Sequence, residues 1–344
     1  MKKTAGLLAA ALLPLLAFFP AAAQRPAALP YADAIRLAEA FRLAETVQER
    51  VFPGWSRAPF SVLLASGERD LLVRHPEPSA EFSELGYSSI LRERVFTRPG
   101  RTAPDLLATF PVIGASPTVV VGSAERTGLR STEWVLTVLH EHFHQFQMAD
   151  PGYFAAVERL GLAGVDRTGM WMLNYPFPYD APATAARFAD LSRRLAALLR
   201  QGADAAPATV EAFWRDYRAF LAGLGEKDRL YFSFQIWQEG VPRYIELRSA
   251  QVAAEAYEPS LEFRALPDAR GFDEVAGGLR TDILAQLDSA NLGRDRRVAF
   301  YAFGAGLCLL LDRSNPDWKS RYMAERFSLE RSAGVPSGRR ESRR

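Results

Sequence analysis

An α+β fold is predicted for this 344-residue chain, with a small, mostly antiparallel N-terminal sheet lobe followed by a mainly α-helical lobe. Two patterns carry that expectation. Short apolar and β-branched runs separated by turn residues occupy positions 59–122, whereas apolar residues recur at helical spacing almost everywhere after Ser131. A hydrophobic share of 48% is enough for one large core or two lobes.

The elements follow in order. Residues 1–23 read as a secretory signal: Lys2-Lys3, an apolar stretch from Leu7 to Phe19 that is short for a bilayer, and a small-residue cleavage site at Ala21-Ala22-Ala23. The mature chain is expected to start at Gln24 and to be periplasmic or secreted. In the lobe 24–130, Tyr31 to Val51 is an amphipathic helix with Leu37, Phe41, Ala44, Val47 and Val51 on one side. Strands are expected at Pro59–Leu64 and Asp70–Arg74, joined by a turn at Ser66-Gly67-Glu68. Further strands are expected at Leu91–Phe96, Leu106–Ile113 and 117–122. In the lobe 131–330 the helical stretches are 183–199, 209–224, 227–257, 272–287 and 297–311, with a break expected near Pro242. Residues 331–344 carry five arginines and one glutamate among Gly, Ser and Pro, which reads as a disordered basic tail.

Three of the four histidines fall in His140-Glu141-His142-Phe143-His144, an H-E-x-x-H pattern. On a helix His140 and His144 share a face and can offer two imidazoles to one metal, while Glu141 lies one residue round, within reach of a water there. The context is helical. Ser131-Thr132-Glu133 offers an N-cap and an acidic first turn, Trp134, Val135, Val138, Leu139, Phe143 and Phe146 form an apolar side, and Asp150-Pro151-Gly152 ends the run. The strand at 117–122 leads into this helix, and its edge is expected to pair with an extended peptide.

The H-E-x-x-H run, with Trp237-Gln238-Glu239-Gly240-Val241-Pro242-Arg243-Tyr244-Ile245-Glu246, resembles the gluzincin zinc peptidases over roughly a tenth of the chain. His144, Phe146 and Gln147 are also similar to the H-E-x-F-H-x-x-Q form of poorly characterised secreted bacterial proteins. The resemblance implies a zincin-like fold, a Zn2+ site at the junction of the lobes held by His140, His144 and Glu239, and peptidase activity. The spacing differs from thermolysin-like enzymes: 94 residues (145–238) separate His144 from Glu239, and Arg243 stands where those enzymes have an orienting aspartate, which leaves Glu246 for that role. A second candidate ligand is Asp150, at the metzincin spacing, although Gln147 replaces the glycine that lets the metzincin chain turn back.

The implied chemistry is hydrolysis, with zinc acidifying a water toward a pKa of about 7 and Glu141 as general base and then acid. A donor for the oxyanion is sought first in Tyr301, then in Tyr231, Tyr244 and Arg243; His142 is either a supporting donor or solvent-facing. The aromatic and proline-rich run Met170–Asp180 either lines the cleft or packs over the core. Cys308, the single cysteine, reads as a buried small hydrophobe, so no intrachain disulfide forms. Loss of the two leader lysines takes the formal charge from +2 to 0, so nothing points to nucleic acid or, after signal cleavage, to a membrane as partner. The expected partner is a peptide or protein substrate.

Overall fold

The computed structural model describes residues 29–333. Residues 1–23, read from sequence as a secretory signal, and all but the first three residues of the tail 331–344 lie outside the described residues. Among the described residues, no helix is long and apolar enough to cross a membrane.

Helix α1 (Tyr31–Val51) forms where the apolar spacing predicts it. It is followed by strands β1 (Val62–Ala65), β2 (Arg69–Val73), β3 (Ser83–Ser88), β4 (Glu93–Pro99), β5 (Leu107–Ile113) and β6 (Ser116–Gly122). They make one mixed sheet in the order β3-β4-β2-β1-β6-β5. Only the β1–β6 pairing is parallel. β3 had no signal in the sequence. Its residues Ser-Glu-Leu-Gly-Tyr-Ser include no β-branched side chain, and its register slips between Glu84 and Gly86, where Gly86 takes φ 133°.

The pleat gives the sheet two different faces. Val62, Leu64, Leu71, Val73, Val119 and Val121 join the main core with the helices. Leu63, Ala65, Leu72 and Val120 point the other way and pack with Phe82 in a smaller core. β1 and β6 are therefore apolar on consecutive residues rather than alternating.

The helices that follow are α2 (Ser131–Ala149), α3 (Pro182–Gln201) and α4 (Pro207–Ala222). Next come α5 (Glu226–Gln235), a π-helical turn (Ile236–Gly240), α6 (Val241–Ala256), α7 (Phe272–Asp288) and α8 (Ala299–Ser314). The break expected near Pro242 is thus a wide turn just before it. Ser131 is not the N-cap of α2. Arg130 holds that position without a side-chain bond, and Asp268 from a distant loop accepts from the Ser131 N–H (2.9 Å) and hydroxyl (2.7 Å) instead. The boundary at residue 130 falls inside one core. Arg36 of α1 donates to Ser131 (2.8 Å), and Glu39 accepts from Tyr257 (2.8 Å) and Ser260 (2.8 Å).

α8 crosses the π-turn at a contact that only two glycines permit. A Cβ on Gly304 would sit 2.6 Å from the Gly240 Cα and 3.0 Å from the Ile236 carbonyl oxygen. Replacing Gly304 with Ala is expected to lower stability by about 1–3 kcal/mol and to displace the π-turn, since backbone must move. Gly277, inside α7 with nothing within 4 Å, is the control: Gly277→Ala should raise stability by roughly 0.5–1 kcal/mol. Urea unfolding of both variants checks the pair, and a Gly304→Ala midpoint equal to that of the native protein would show the contact is loose.

Candidate metal centre

α2 brings His140 and His144 one above the other, with ring centroids 5.0 Å apart. Their Nε2 atoms lie 3.8 and 3.6 Å from the Glu239 carboxylate, presented by the π-turn. The ligand atoms of the three residues all fall within 4.8 Å of one another, a group able to hold a metal ion. Each imidazole is fixed through its other nitrogen. His140 Nδ1 donates to Glu246 (2.6 Å), whose second oxygen takes the Arg243 guanidinium. His144 Nδ1 donates to the Gln147 amide oxygen (2.7 Å). Both Nε2 lone pairs are thereby free to face the metal position.

Gln147 has a second task. Pro242 has no N–H, so the Gln238 carbonyl lacks its α-helical donor, and the π-turn loosens the Trp237 carbonyl as well. The Gln147 amide nitrogen reaches both, at 3.1 Å (Trp237) and 3.2 Å (Gln238), and also the Tyr322 hydroxyl at 2.7 Å. That bonding fixes which end of the amide meets His144. Gln238 lies 3.0 Å from the same His144 nitrogen and 2.8 Å from the Tyr153 hydroxyl, closing a buried network around the ring.

The electrostatics favour positive charge at the centre. Burial would raise the Glu239 carboxyl, but the imidazoles of His144 and His140 hold it far below the usual carboxylate range. Burial would likewise lower the His140 imidazole, yet the Glu239 and Glu246 carboxylates outweigh it and raise it to about 10. The Glu246 carboxyl, which burial would raise, is held low by Arg243 and His140.

Glu141 stands outside this triad. Its carboxylate accepts from the Thr109 hydroxyl of β5 at 2.8 Å, and the same hydroxyl lies 2.8 Å from the Glu141 carbonyl. β5 is the last strand of the sheet, so the expectation that the strand 117–122 offers its edge to a peptide is corrected. That strand is β6, paired on both sides. The Gly122 N–H donates to the Leu106 carbonyl (2.8 Å), and antiparallel alternation then turns the main-chain groups of Leu107 and Thr109 to the open side of β5.

The other candidates separate cleanly. Tyr301, one turn before Gly304, takes a hydrogen bond from Arg297 (2.5 Å) and faces Glu239. Burial, and then the Glu239 charge, push its phenol well above the usual range. Tyr244 is turned away to Asp312 (2.7 Å), Tyr231 donates to the Met172 carbonyl (3.0 Å), and Arg243 is spent on Glu246. Asp150 is bound by Arg326 and by the Gly152 N–H (2.9 Å), apart from the triad. His142 is neither solvent-facing nor a supporting donor to the metal position. It is 1% exposed, stacks on Phe60 at 3.8 Å, and meets Gln145 (2.9 Å), which donates in turn to the Pro117 carbonyl of the sheet (2.8 Å). Burial pushes its imidazole down to about 3, so it is a neutral clamp between α2 and the sheet.

The run 170–180 packs largely over the core. Trp171, Phe177 and Tyr179 are buried, Tyr175 stacks on Tyr231 at 4.4 Å, and Met170 and Leu173 stay exposed. Cys308 is free and buried. Comparison with protein-family models, curated proteins and solved structures gave no match to this chain.

Three residues of the centre had no role assigned from sequence. Thr109 and Arg297 carry no local signal beyond ordinary composition, although Arg297 and Tyr301 have the i,i+4 spacing that brings side chains together on a helix. Gln147 stood in the quoted motif without a stated task. Gln147→Leu is expected to weaken metal binding by roughly 10–100-fold, as loss of an orienting partner does, and to destabilise the fold by about 1–3 kcal/mol because carbonyls lose donors. Asp150→Ala should leave metal binding unchanged. Metal titration and thermal melts of the two variants test both, and metal loss in Asp150→Ala would reverse the ligand assignment.

Proposed function

We propose that this chain is an exported zinc-dependent metallohydrolase, most simply a peptidase, with His140, His144 and Glu239 as ligands and Glu141 as general base. The observation that carries it is the triad itself, with a carboxylate beside it that is not a ligand. Ligand separations of 3.6 and 3.8 Å suit the donor edges of about 3.3–3.5 Å that tetrahedral zinc with bonds near 2.0–2.1 Å requires. Two neutral imidazoles and one carboxylate form a donor set that zinc favours, and three protein ligands leave a position open. A purely structural site would use four and would need no Glu141.

Bound zinc supplies Lewis acidity that polarises a carbonyl and acidifies water. Glu141, steadied by Thr109, takes the proton released when water attacks and hands it to the departing amine. Tyr301, backed by Arg297, offers a hydroxyl to the developing negative charge. The open side of β5 gives an extended peptide two residues, Leu107 and Thr109, to pair with, directly over α2 and next to Glu141. A centre between sheet and helices would agree with the zincin-like arrangement that the sequence resemblance implies.

Purified protein is expected to hold about one zinc per chain, and Glu239→Ala to lose it. Glu141→Gln should keep the zinc while peptide hydrolysis falls by roughly 10²–10⁴-fold. Elemental analysis with a peptide-library digest reads both. An Glu141→Gln protein that matches the native one in every assay points instead to a zinc-holding protein without catalysis.

A further inference from the structure

Arg297 lies in the turn Arg296–Val298 that leads into α8. Its neighbours are matched: Arg294 pairs with Asp295, and Arg296 pairs with Asp180 (2.7 Å) and lies over the Tyr179 ring. Arg297 has no carboxylate within ion-pair distance among the described residues, and it is only partly exposed. One of its five N–H donors goes to the Tyr301 hydroxyl (2.5 Å), and the Glu239 charge acts on both side chains. Burial works against its charge, while Tyr301, Glu239 and Tyr231 favour it.

Charge matching around a loaded centre leaves this guanidinium over. A divalent ion is balanced by Glu239 and Glu141, and Glu246 is balanced by Arg243. Glu239 can then no longer serve Arg297, and a half-buried cation with free donors in a fork geometry is a carboxylate receptor. We propose that Arg297 binds the free C-terminal carboxylate of the substrate, so that the enzyme removes one or two residues from peptide C-termini. The inference rests on the metallohydrolase reading for its chemistry, but not for its binding. The guanidinium holds the Tyr301 hydroxyl and lies within the electrostatic reach of Glu239, and one extended residue spans only about 3.3–3.6 Å. A carboxylate held there therefore places the last or penultimate amide at the centre.

The test compares N-acetyl-Phe-Leu with N-acetyl-Phe-Leu-amide. Binding is measured by calorimetry to zinc-loaded Glu141→Gln protein, and hydrolysis with the native enzyme. The acid should bind roughly 10–100-fold more tightly than the amide. Adding Arg297→Gln should abolish that preference, and Arg297→Lys should restore part of it, with thermal midpoints confirming that both variants fold. Equal binding of the two peptides, binding of neither, or a preference that survives Arg297→Gln because the acid ligates zinc directly would each overturn the inference. Cleavage of the amide as fast as the acid would also overturn it, while leaving the hydrolase reading intact. An Arg297-dependent preference with no cleavage of either peptide would uphold the carboxylate site and remove the hydrolase reading.

Discussion

One buried amide holds the centre together. Gln147 sits three residues after His144, so its oxygen reaches the imidazole from the next turn of the same helix, while its nitrogen reaches across to the π-turn. The two acceptors there exist because Pro242 withdraws a donor and the wide turn disturbs the ladder. A defect in one helix is thus satisfied by a side chain of another, which is a strong reason for the two to keep one register. Because Glu239 is part of that turn, the same bonds that orient His144 also fix its distance to Glu239. Loosening the amide would misplace His144 and Glu239 at once.

The other supports act from different directions. Glu246, two turns of backbone beyond the π-turn, orients His140, so each histidine is steered by the helix pair in its own way. The Gly240–Gly304 contact brings α8 close enough for Tyr301 to face Glu239, and no side chain could occupy that crossing. His142 and Gln145 fasten the opposite face of α2 to the sheet, which sets Glu141 beneath Thr109. Buried carboxylates this close to one another are costly without cations. Arg243 meets that need at Glu246, and the His140 and His144 imidazoles lie against Glu239.

How much of this was legible in the sequence depended on whether the signal was local. H-E-x-x-H and its amphipathic flanks are local, and α2 formed as read. The Glu-Gly step before Pro242 is local too, and Glu239 joins the histidines in space. Asp268 as the cap of α2, and the burial of His142 against Phe60, depend on partners 137 and 82 positions away, and no window of sequence contains both members. β3 was missed for the opposite reason: its pairing with β4 holds a segment with little strand preference of its own. The residues around the centre that sequence left without a task, Thr109 and Arg297, are of the same non-local kind.

The 94 residues between His144 and Glu239 look like an obstacle to a shared site, yet the physics of the fold makes them nearly neutral. Closing a loop costs free energy only as the logarithm of its length, so a doubled insertion adds about 0.6 kcal/mol. Here the insertion is itself folded. Phe188 of α3 packs on Phe300 and Phe303 of α8, and Tyr217 of α4 packs on Phe303, so both helices back the element that carries Tyr301. The inserted segment therefore builds the wall behind the centre instead of merely spanning a gap. The long separation is then no argument against His140, His144 and Glu239 sharing one site, because their placement is set by Gln147 and the glycine crossing and not by the length of chain between them.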